Sequence, residues 1–326
     1  MPRFDARDPA AIGDAARRLA GGELVAFPTE TVYGLGARAD DDAAVAQVFA
    51  AKGRPADHPL IVHVADAAAA AHFAARLDPL AERLMAAFWP GPLTLIVPRR
   101  DGVAGAAAGG QASIGLRCPA HAVAHELLRR AAALGVPGVA APSANRFGRL
   151  SPTTAAHVEA EFGPALAVLD GGACPVGIES TIVDLTRGVL VLLRPGMLTP
   201  QRIEAAAGVP LAARDGGAPR ASGTLASHYA PRARLRLFAD PDALAQALRA
   251  APAGSRQAVY SRSACPAAVA ALQRRMPARA DDAARELFAT LRDLDAAGVD
   301  QIWVEQPPDE PAWDGVRDRL QRAAAA

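Results

Sequence analysis

Lys52 is the only lysine in a chain of 326 residues, and the other Lys+Arg positions all hold arginine. It lies in the segment AKGRPADHPLIVHV together with Arg54, His58 and His63. A lysine and an arginine are not interchangeable where a compact point charge is needed. Because no Gly-x-x-x-x-Gly precedes Lys52, these side chains rather than a glycine loop would bind a phosphate. The alternative is a solvated helix end whose cations complement the helix dipole.

A second segment, APSANRFGRLSPTT, contains Asn145, the only asparagine of the chain. Ser143 and Asn145 are expected on a turn that follows a strand. Ser151 and Pro152 have the form of an N-cap followed by a proline at the first helical position, which predicts a helix start able to bind an anion. Ordinary capping without a ligand is the alternative for Ser151.

Further polar residues lie at the ends of apolar, strand-like segments. FPTETVYGLGA places Thr31 at such an end, and it lacks the third glycine of a dinucleotide fingerprint. A polar strand end with a tight turn is the alternative there. SIGLRC ends near Arg117, a candidate carboxylate clamp. GIESTIVDL and LLRPG add Ser180 and Arg194.

A metal site is disfavoured at Cys118, His121 and His125. The two histidines share a helical face, but no carboxylate or second cysteine is placed to complete a tetrahedron. The candidate residues together are cationic, rich in hydroxyls and poor in carboxylates, which suits a nucleotide and a small anionic substrate. No Ser-His-Asp or paired-carboxylate pattern is present, so we expect catalysis by positioning and charge neutralisation.

Apolar runs alternating with alanine-rich helices are expected to position these residues. LTLIVPR and SIGLRC follow each other without a helix between them, which predicts a mixed sheet. The predicted strands of the first domain are ELVAFPT, PLIVHVA, LTLIVPR, SIGLRC, GVAAPSA, LAVLDGG, STIVDLT and VLVLLRPG.

Three regions follow from the composition along the chain: a domain at 1–208, a linker at 209–232 and a small α/β domain at 233–326. The linker is rich in Gly, Pro, Ala and Arg, and connections of that length are often lids or binding loops. In the small domain, strands at RLRLFAD, QAVYSRS and QIWVEQP alternate with helices, one of them predicted through AAVAALQRRM.

The composition narrows the class of protein. Hydrophobic residues make up 51% and charged residues 21%, with a formal net charge of +1, so there is no strong signal for nucleic-acid binding. Three scattered cysteines predict no disulfide framework. The amino-terminal residues lack the apolar run of a secretion signal, and no stretch approaches the ~18 apolar residues of a membrane span. We expect a soluble, cytoplasmic protein without a membrane partner.

Seven segments resemble, in the same order, the signatures of the YrdC-type threonylcarbamoyl-AMP synthases. They are FPTETVYGLG, KGRPADHPLIVHV, WPGPLTLIV, IGLRCPAH, APSANRFGRLSP, GIESTIVDL and LLRPG, which together cover about Leu24 to Gly196. SHYAP after a Gly-rich linker resembles the long, two-domain form. The resemblance implies an α/β fold: a YrdC-like twisted mixed-sheet domain plus a small Rossmann-like C-terminal domain, joined by a long linker.

The resemblance also implies an activity, that of a nucleotidyltransferase. L-Threonine, bicarbonate and ATP, the last with Mg²⁺, would give L-threonylcarbamoyl-AMP and pyrophosphate. The product would pass to a complex that transfers the threonylcarbamoyl group to tRNA, forming N6-threonylcarbamoyladenosine.

The residues that the resemblance assigns fall into overlapping sets. Asparagine is more usual in the family at the place of His58, and an SPGM-type run is more usual where this chain has ASGTLAS. No residue is assigned as a metal ligand. The catalytic set is Lys52, Arg54, Ser143 and Asn145; the ATP set is Arg54, His58, Ser113, Ser143, Ser151, Arg194 and Tyr229; the threonine set is Thr31, His63, Arg117, the backbone around Ala141, and Ser180.

Two other functions compete with this hypothesis. A cationic concave surface would also suit RNA binding without catalysis, but the near-neutral charge and the lack of an aromatic stacking motif count against it. Carbamoyl-adenylate enzymes of hydrogenase maturation contain a similar domain, but they carry cysteine-rich zinc motifs that this sequence lacks.

Overall fold

The computed structural model describes residues 3–252, 254–263 and 272–326 of the chain. The described chain divides into two compact units. The first consists of Met1–Phe147 and Ser151–Thr224, and the second of Gly148–Leu150 and Leu225–Ala326. The division after Thr224 falls inside the segment 209–232 that the sequence predicts as a linker.

The first unit combines helices and short strands over the part of it that the structure describes. Its helices are α1 (Pro9–Ala20), α2 (Asp42–Lys52), α3 (Ala67–Phe73), α4 (Pro79–Phe88), α5 (Ala122–Ala133), α6 (Ala155–Phe162) and α7 (Pro200–Ala207). Its strands are β1 (Arg3–Asp5), β2 (Val25–Phe27), β3 (Gly34–Arg38), β4 (Ile61–His63), β5 (Leu93–Pro98), β6 (Ser113–Arg117), β7 (Val139–Ala140), β8 (Ala167–Asp170), β9 (Thr181–Asp184) and β10 (Val191–Arg194).

These strands form one mixed sheet in the order β1-β8-β2-β3-β7-β4-β6-β5-β9-β10. β5 and β6, which no helix separates, pair antiparallel, while β4 and β6 pair parallel. The predicted mixed sheet is therefore confirmed. Each of the eight strand segments predicted for the first domain contains one of these strands.

β1 and β3 were not predicted. β3 has the sequence GLGAR, and glycines inside a run normally argue against a strand. Close packing explains the glycine at Gly36: a Cβ there would lie 2.8 Å from side-chain atoms of both Phe27 and Val139. The adjacent strands thus fill the space that a side chain would need.

Side chains on four neighbouring strands point to one face because alternate residues of a strand share a face. Ile61 pairs with Gly115, and His63 pairs with Arg117. Side chains of the opposite parity, such as Ile114 and Leu116, belong to the main hydrophobic core. We call the face that carries Ile61, His63, Thr94, Ile96, Ser113, Gly115, Arg117, Ser180 and Ile182 the site face.

α2 places Lys52 beside the sheet. The helix begins after Asp41, whose carboxylate accepts from the backbone N–H groups of Ala43 and Ala44. It ends at Gly53, which has φ 65° in the left-handed region that glycine adopts without a steric penalty. Lys52 is consequently the last helical residue.

The second unit contains a four-stranded sheet, all of whose described strand pairs are parallel, in the order β11-β14-β12-β13. The predicted Rossmann-like α/β unit is confirmed in its architecture. Its elements are β11 (Arg234–Phe238), α8 (Pro241–Arg249), β12 (Gln257–Ser261), β13 (Leu272–Arg275), α9 (Ala280–Ala296), β14 (Gln301–Glu305), a 3₁₀ turn (Pro311–Trp313) and α10 (Asp314–Ala324).

The helix predicted through AAVAALQRRM is wrong over its second half. Leu272–Arg275 is strand β13, which pairs with β12. The local preference of alanine and arginine for helix is overridden here by pairing at the sheet edge. Residues 267–271 of that prediction lie outside the described residues. None of the helices that the structure describes combines the length and the apolarity that crossing a membrane requires.

Candidate functional site

Lys52 holds the turn that contains Asn145. Its side chain is buried, and its Nζ donates to the backbone carbonyl oxygens of Ser143 and Asn145. The backbone N–H of Phe147 in turn donates to the Lys52 carbonyl at 2.9 Å. Burial, together with the neighbouring Arg54 cation, lowers the pKa of Lys52 well below its usual value. The structure therefore brings together the chain's sole lysine and its sole asparagine.

Arg54 and Arg194 converge on one residue of the segment that follows α7. Nη2 of Arg54 lies 3.3 Å from the hydroxyl of Ser222, and Nη1 of Arg194 lies 2.9 Å from its carbonyl oxygen. Arg54 also donates to the carbonyl of Pro59 at 2.9 Å. Two guanidinium groups from distant parts of the sequence thus face the same small volume, where oxygens of an anion would compete with those of Ser222.

Residues 218–222 cover the site face. Ala218 and Ala221 pack on its apolar members, and Arg220 is paired with Asp57 at 2.6 Å. The cavity left beside Ser113 measures about 10 Å³. Ligand pockets for small molecules usually measure roughly 300 Å³ or more. With residues 218–222 in this position, the cavity beside Ser113 is too small for a ligand of that size.

His58 and Phe147 lie beside Arg54. The His58 and Phe147 rings are 5.5 Å apart between centroids, and the Arg54 guanidinium is 5.9 Å from the Phe147 ring. Burial and the Arg54 cation lower the pKa of His58, so the imidazole is favoured in its neutral form. Phe147 was not singled out from the sequence, although it follows Asn145 by two residues.

A chain of hydroxyl groups orients Thr31. Nη1 of Arg117 lies 2.9 Å from the Thr31 hydroxyl, which lies 2.9 Å from that of Thr29. The Thr29 hydroxyl donates its single proton to the Val32 carbonyl at 2.7 Å. Thr31 is therefore the donor to Thr29 and keeps an acceptor lone pair. The backbone N–H of Ala141 donates to the carbonyl of Ile61 at 2.9 Å, which places this residue against β4.

Ser180 connects Arg194 to the site face. Its hydroxyl lies 2.8 Å from that of Thr94 and 3.1 Å from Nη2 of Arg194. Nε and Nη2 of Arg194 also donate to the Ser180 carbonyl at 3.0 and 2.9 Å. Thr94 is fully buried and was not predicted as a site residue. A threonine inside the apolar run LTLIVPR is the signal that could have identified it.

His63 is held neutral. Burial and the facing Arg117 lower its pKa to about 3. Between pH 6.5 and 3 the unfolded chain therefore binds a proton at this residue that the folded chain does not. The contribution of His63 to stability is fully present above pH 6.5 and falls as the pH decreases, by up to about 1.4 kcal/mol per unit.

Replacing His63 by glutamine should flatten that part of the stability profile. We expect the difference in the free energy of unfolding between wild type and His63→Gln to shrink, or reverse, as the pH is lowered from 6.5 to 4, measured by urea titration. His72→Gln, at an exposed histidine of α3, is the matched control. A difference independent of pH would contradict a buried, neutral His63.

Ser151 does not start a helix. α6 begins after Thr154, whose hydroxyl caps it, and the Ser151 hydroxyl instead donates to the carboxylate of Glu179. The helix start predicted at Ser151-Pro152 is therefore wrong, while the role predicted for Ser151 in binding ATP stays a prediction. Thr154 caps the helix three residues later with the same kind of hydroxyl group. The Ser151 hydroxyl is instead engaged by the buried Glu179.

The site also contains more carboxylates than the sequence predicted. Glu30 and Glu179 are both buried, and Glu30 lies 2.6 Å from Nη2 of Arg117. Both glutamates occur within the segments TETVYG and GIEST that the sequence singles out. A glutamate next to an apolar strand is rarely buried unless it is paired with a cation or a hydrogen-bond donor. The position of these two glutamates in the sequence could therefore have predicted paired carboxylates at the site.

Tyr229 lies in the second unit. Its ring is buried, with its centroid 5.6 Å from that of Phe288 and 5.3 Å from the Arg319 guanidinium. Its φ of 62° is uncommon for a residue with a side chain. The role predicted for Tyr229 in binding ATP stays a prediction.

No group of three or more metal-ligating side chains occurs in the part of the chain that the structure describes. Cys118 donates from Sγ to the Ala65 carbonyl, and burial raises the pKa of its thiol to about 11. His121 caps α5, accepting at Nδ1 from the N–H of Val123. These contacts give Cys118 and His121 structural roles.

The chain matches known proteins over most of its length. It is 38% identical to the threonylcarbamoyl-AMP synthase of Pyrococcus abyssi over 315 residues, which cover 93% of this chain and 91% of that protein. It is 37% identical to that of Bacillus subtilis, covering 96% and 92% of the two chains. The crystal structure of P. abyssi Sua5 complexed with L-threonine superposes with a TM-score of 0.89 at 36% identity, covering 99% of this chain and 96% of that one.

Two family models match in succession. The Sua5–YciO–YrdC model, described as telomere recombination, matches residues 17–196, and the model described as threonylcarbamoyl-AMP synthase, C-terminal domain, matches residues 198–325. Together with the fold and the likeness to complete relatives, these matches identify the family. The chain belongs to the Sua5/YrdC family of threonylcarbamoyl-AMP synthases.

Proposed function

We propose that this protein is an L-threonylcarbamoyladenylate synthase, a nucleotidyltransferase that converts L-threonine, bicarbonate and ATP into L-threonylcarbamoyl-AMP and pyrophosphate. The observation that carries the proposal is the convergence of Arg54 and Arg194 on one point next to the turn held by Lys52. Relatives named threonylcarbamoyl-AMP synthase match the chain nearly end to end.

The reaction suits a site that works by positioning and charge. The threonine amine attacks bicarbonate and water leaves, which gives a carbamate. A carbamate oxygen then attacks the α-phosphorus while the bond to pyrophosphate breaks. Negative charge gathers on the leaving group, and Arg54, Arg194 and the residues around Lys52 are placed to stabilise it.

Mg²⁺ enters this scheme with ATP as part of the substrate. Magnesium keeps several waters and is usually held by phosphate oxygens with one or two carboxylates. The buried Glu179 carboxylate beside Ser151 fits such a supporting role. The ion would neutralise phosphate charge when the nucleotide is bound.

Arg117 and the residues around it would bind threonine. A guanidinium binds a carboxylate through two parallel N–H groups. Arg117 lies opposite the neutral His63 and next to the oriented hydroxyl of Thr31. A structure of the P. abyssi relative in complex with L-threonine supports the presence of an amino acid site in the family.

Residues 218–222 act as a lid in the proposed reaction. They cover the site face and must leave for ATP to enter. A carbamate decomposes readily in water, so excluding solvent during the reaction is an advantage. We place the reaction in the cytoplasm, where the product would pass to the complex that modifies tRNA.

Pyrophosphate release tests the proposal directly. Purified protein given ATP, Mg²⁺, threonine and bicarbonate should release pyrophosphate, and omitting any one of the three substrates should abolish the release. Mass spectrometry should identify threonylcarbamoyl-AMP. Salt-dependent RNA binding without an ATP-dependent product would instead favour the RNA-binding alternative.

A further inference from the structure

Glu30 and Arg117 form a buried ion pair. Oε1 of Glu30 lies 2.6 Å from Nη2 of Arg117, and the two side chains are only 7% and 4% exposed. The approach is not aligned as a hydrogen bond, and neither oxygen of Glu30 receives one from the residues that the structure describes. Burying a carboxylate without hydrogen bonds costs folding free energy. The presence of Glu30 here therefore suggests a role other than stabilising the fold.

Contacts to three separate atoms fix the plane of the Arg117 guanidinium. Nε donates to the carbonyl of Gly91 at 3.3 Å, Nη1 to the Thr31 hydroxyl at 2.9 Å, and Nη2 faces Glu30. A guanidinium carries five N–H groups, two of them on each terminal nitrogen. At least one N–H on each terminal nitrogen is left over, and this is the pair that binds a carboxylate with both oxygens.

We propose that Glu30 is a positioning residue for amino acid recognition, acting through Arg117. The carboxylate neutralises the guanidinium in its buried position and sets its rotation, so that the remaining pair of N–H groups faces the substrate carboxylate. This inference rests on the proposed function. Glu30 does not contact the substrate in this scheme, which distinguishes it from a residue that binds the substrate's ammonium group.

Glu30→Gln removes the charge and keeps the shape of the side chain. We expect the KM for threonine to rise roughly tenfold or more, because a misplaced Arg117 would lose a hydrogen bond to the substrate carboxylate, and hydrogen bonds to charged groups are worth about that much. The kcat and the KM for ATP should stay within about twofold of wild type. Glu126→Gln is the control, because Glu126 pairs with Arg129 and Arg130 on the exposed side of α5. It should change none of these constants.

L-Threoninol, which has an alcohol in place of the carboxylate, separates the two possible roles of Glu30. Glu30→Gln should weaken the binding of threonine, measured by calorimetry, and leave the inhibition constant of threoninol unchanged. An equal penalty for both ligands would mean that Glu30 binds the ammonium group, and would overturn the proposal. In an Arg117→Lys background, adding Glu30→Gln should cost little further, whereas fully additive losses would also overturn it.

Glu30→Asp keeps the test decisive if the glutamine variant does not fold. This variant retains the charge, but its side chain is one methylene shorter, so the carboxylate lies farther from Arg117. It should raise the KM for threonine about threefold without changing the KM for ATP. A parallel rise in both constants would show a merely structural role. Absence of threonine binding by the wild-type protein would instead refute the proposed function, so the two failures are distinguishable.

Discussion

Replacing Lys52 by arginine is expected to lower the rate of pyrophosphate release at least about 100-fold, the scale of loss that a displacement of about 1 Å causes in a positioned group. The Lys52 ammonium is a compact donor to two carbonyl oxygens of one turn, those of Ser143 and Asn145. A guanidinium is wider and buried in the same place, so it must push the turn away from the helix end.

Stability should change much less than turnover. Overpacking of a buried position costs about 1–3 kcal/mol, which lowers the melting temperature of a chain of this size by only a few degrees per kcal/mol. Lys52→Met removes the charge without adding width and should lose turnover to a similar extent. Arg17→Lys, at an exposed position of α1, is the control for exchanging lysine and arginine away from the site. Pyrophosphate release from Lys52→Arg at the wild-type rate would refute the role of Lys52.

Ending the chain at Gly216 should leave a folded first unit whose synthetic rate is at least about tenfold lower, because the proposed lid, which would exclude water, is lost. The cut removes Ala218 and Ala221 from the apolar members of the site face, and it frees Arg54 and Arg194 from Ser222. The main hydrophobic core contains no residue beyond the cut, so cooperative unfolding should persist.

The shortened chain is assessed by thermal unfolding followed by pyrophosphate release with all three substrates. A full-length variant with Leu225→Ala, at an exposed side chain just beyond the first unit, is the matched control and should keep wild-type activity. Full activity in the shortened chain would remove the lid from the mechanism. Loss of cooperative unfolding would show that residues beyond 216 are needed for folding rather than for chemistry.

The strands of the first unit were predictable because most of them are apolar runs bounded by Gly and Pro. β3 was not, because the glycine at Gly36 is required by the close approach of Phe27 and Val139 on adjacent strands, and a sequence pattern does not show which strands are adjacent. The helix expected over 267–276 failed for a related reason. Sheet pairing at Leu272–Arg275 depends on β12, which ends eleven residues earlier in the chain.

The candidate site was predictable in its residue types rather than in its connections. The uniqueness of Lys52 and Asn145 pointed to one site, and the structure joins them. The sequence did not reveal that Lys52 binds backbone carbonyls. It also did not reveal that Ser222 holds both arginines, because such contacts link residues that are far apart in the chain. Glu30 and Glu179 lie within motifs of the predicted site but were not assigned to it, because a sequence pattern does not show that they contact Arg117 and Ser151.

A crystal structure of the protein with threonine and a non-hydrolysable ATP analogue tests the central claim most directly. We expect Arg54 and Arg194 on the phosphates, Asn145 beside them on the turn that Lys52 holds, Arg117 on the threonine carboxylate, and residues 218–222 displaced from the site face. Nucleotide bound elsewhere, with Lys52, Asn145 and Arg194 all remote from it, would contradict the account.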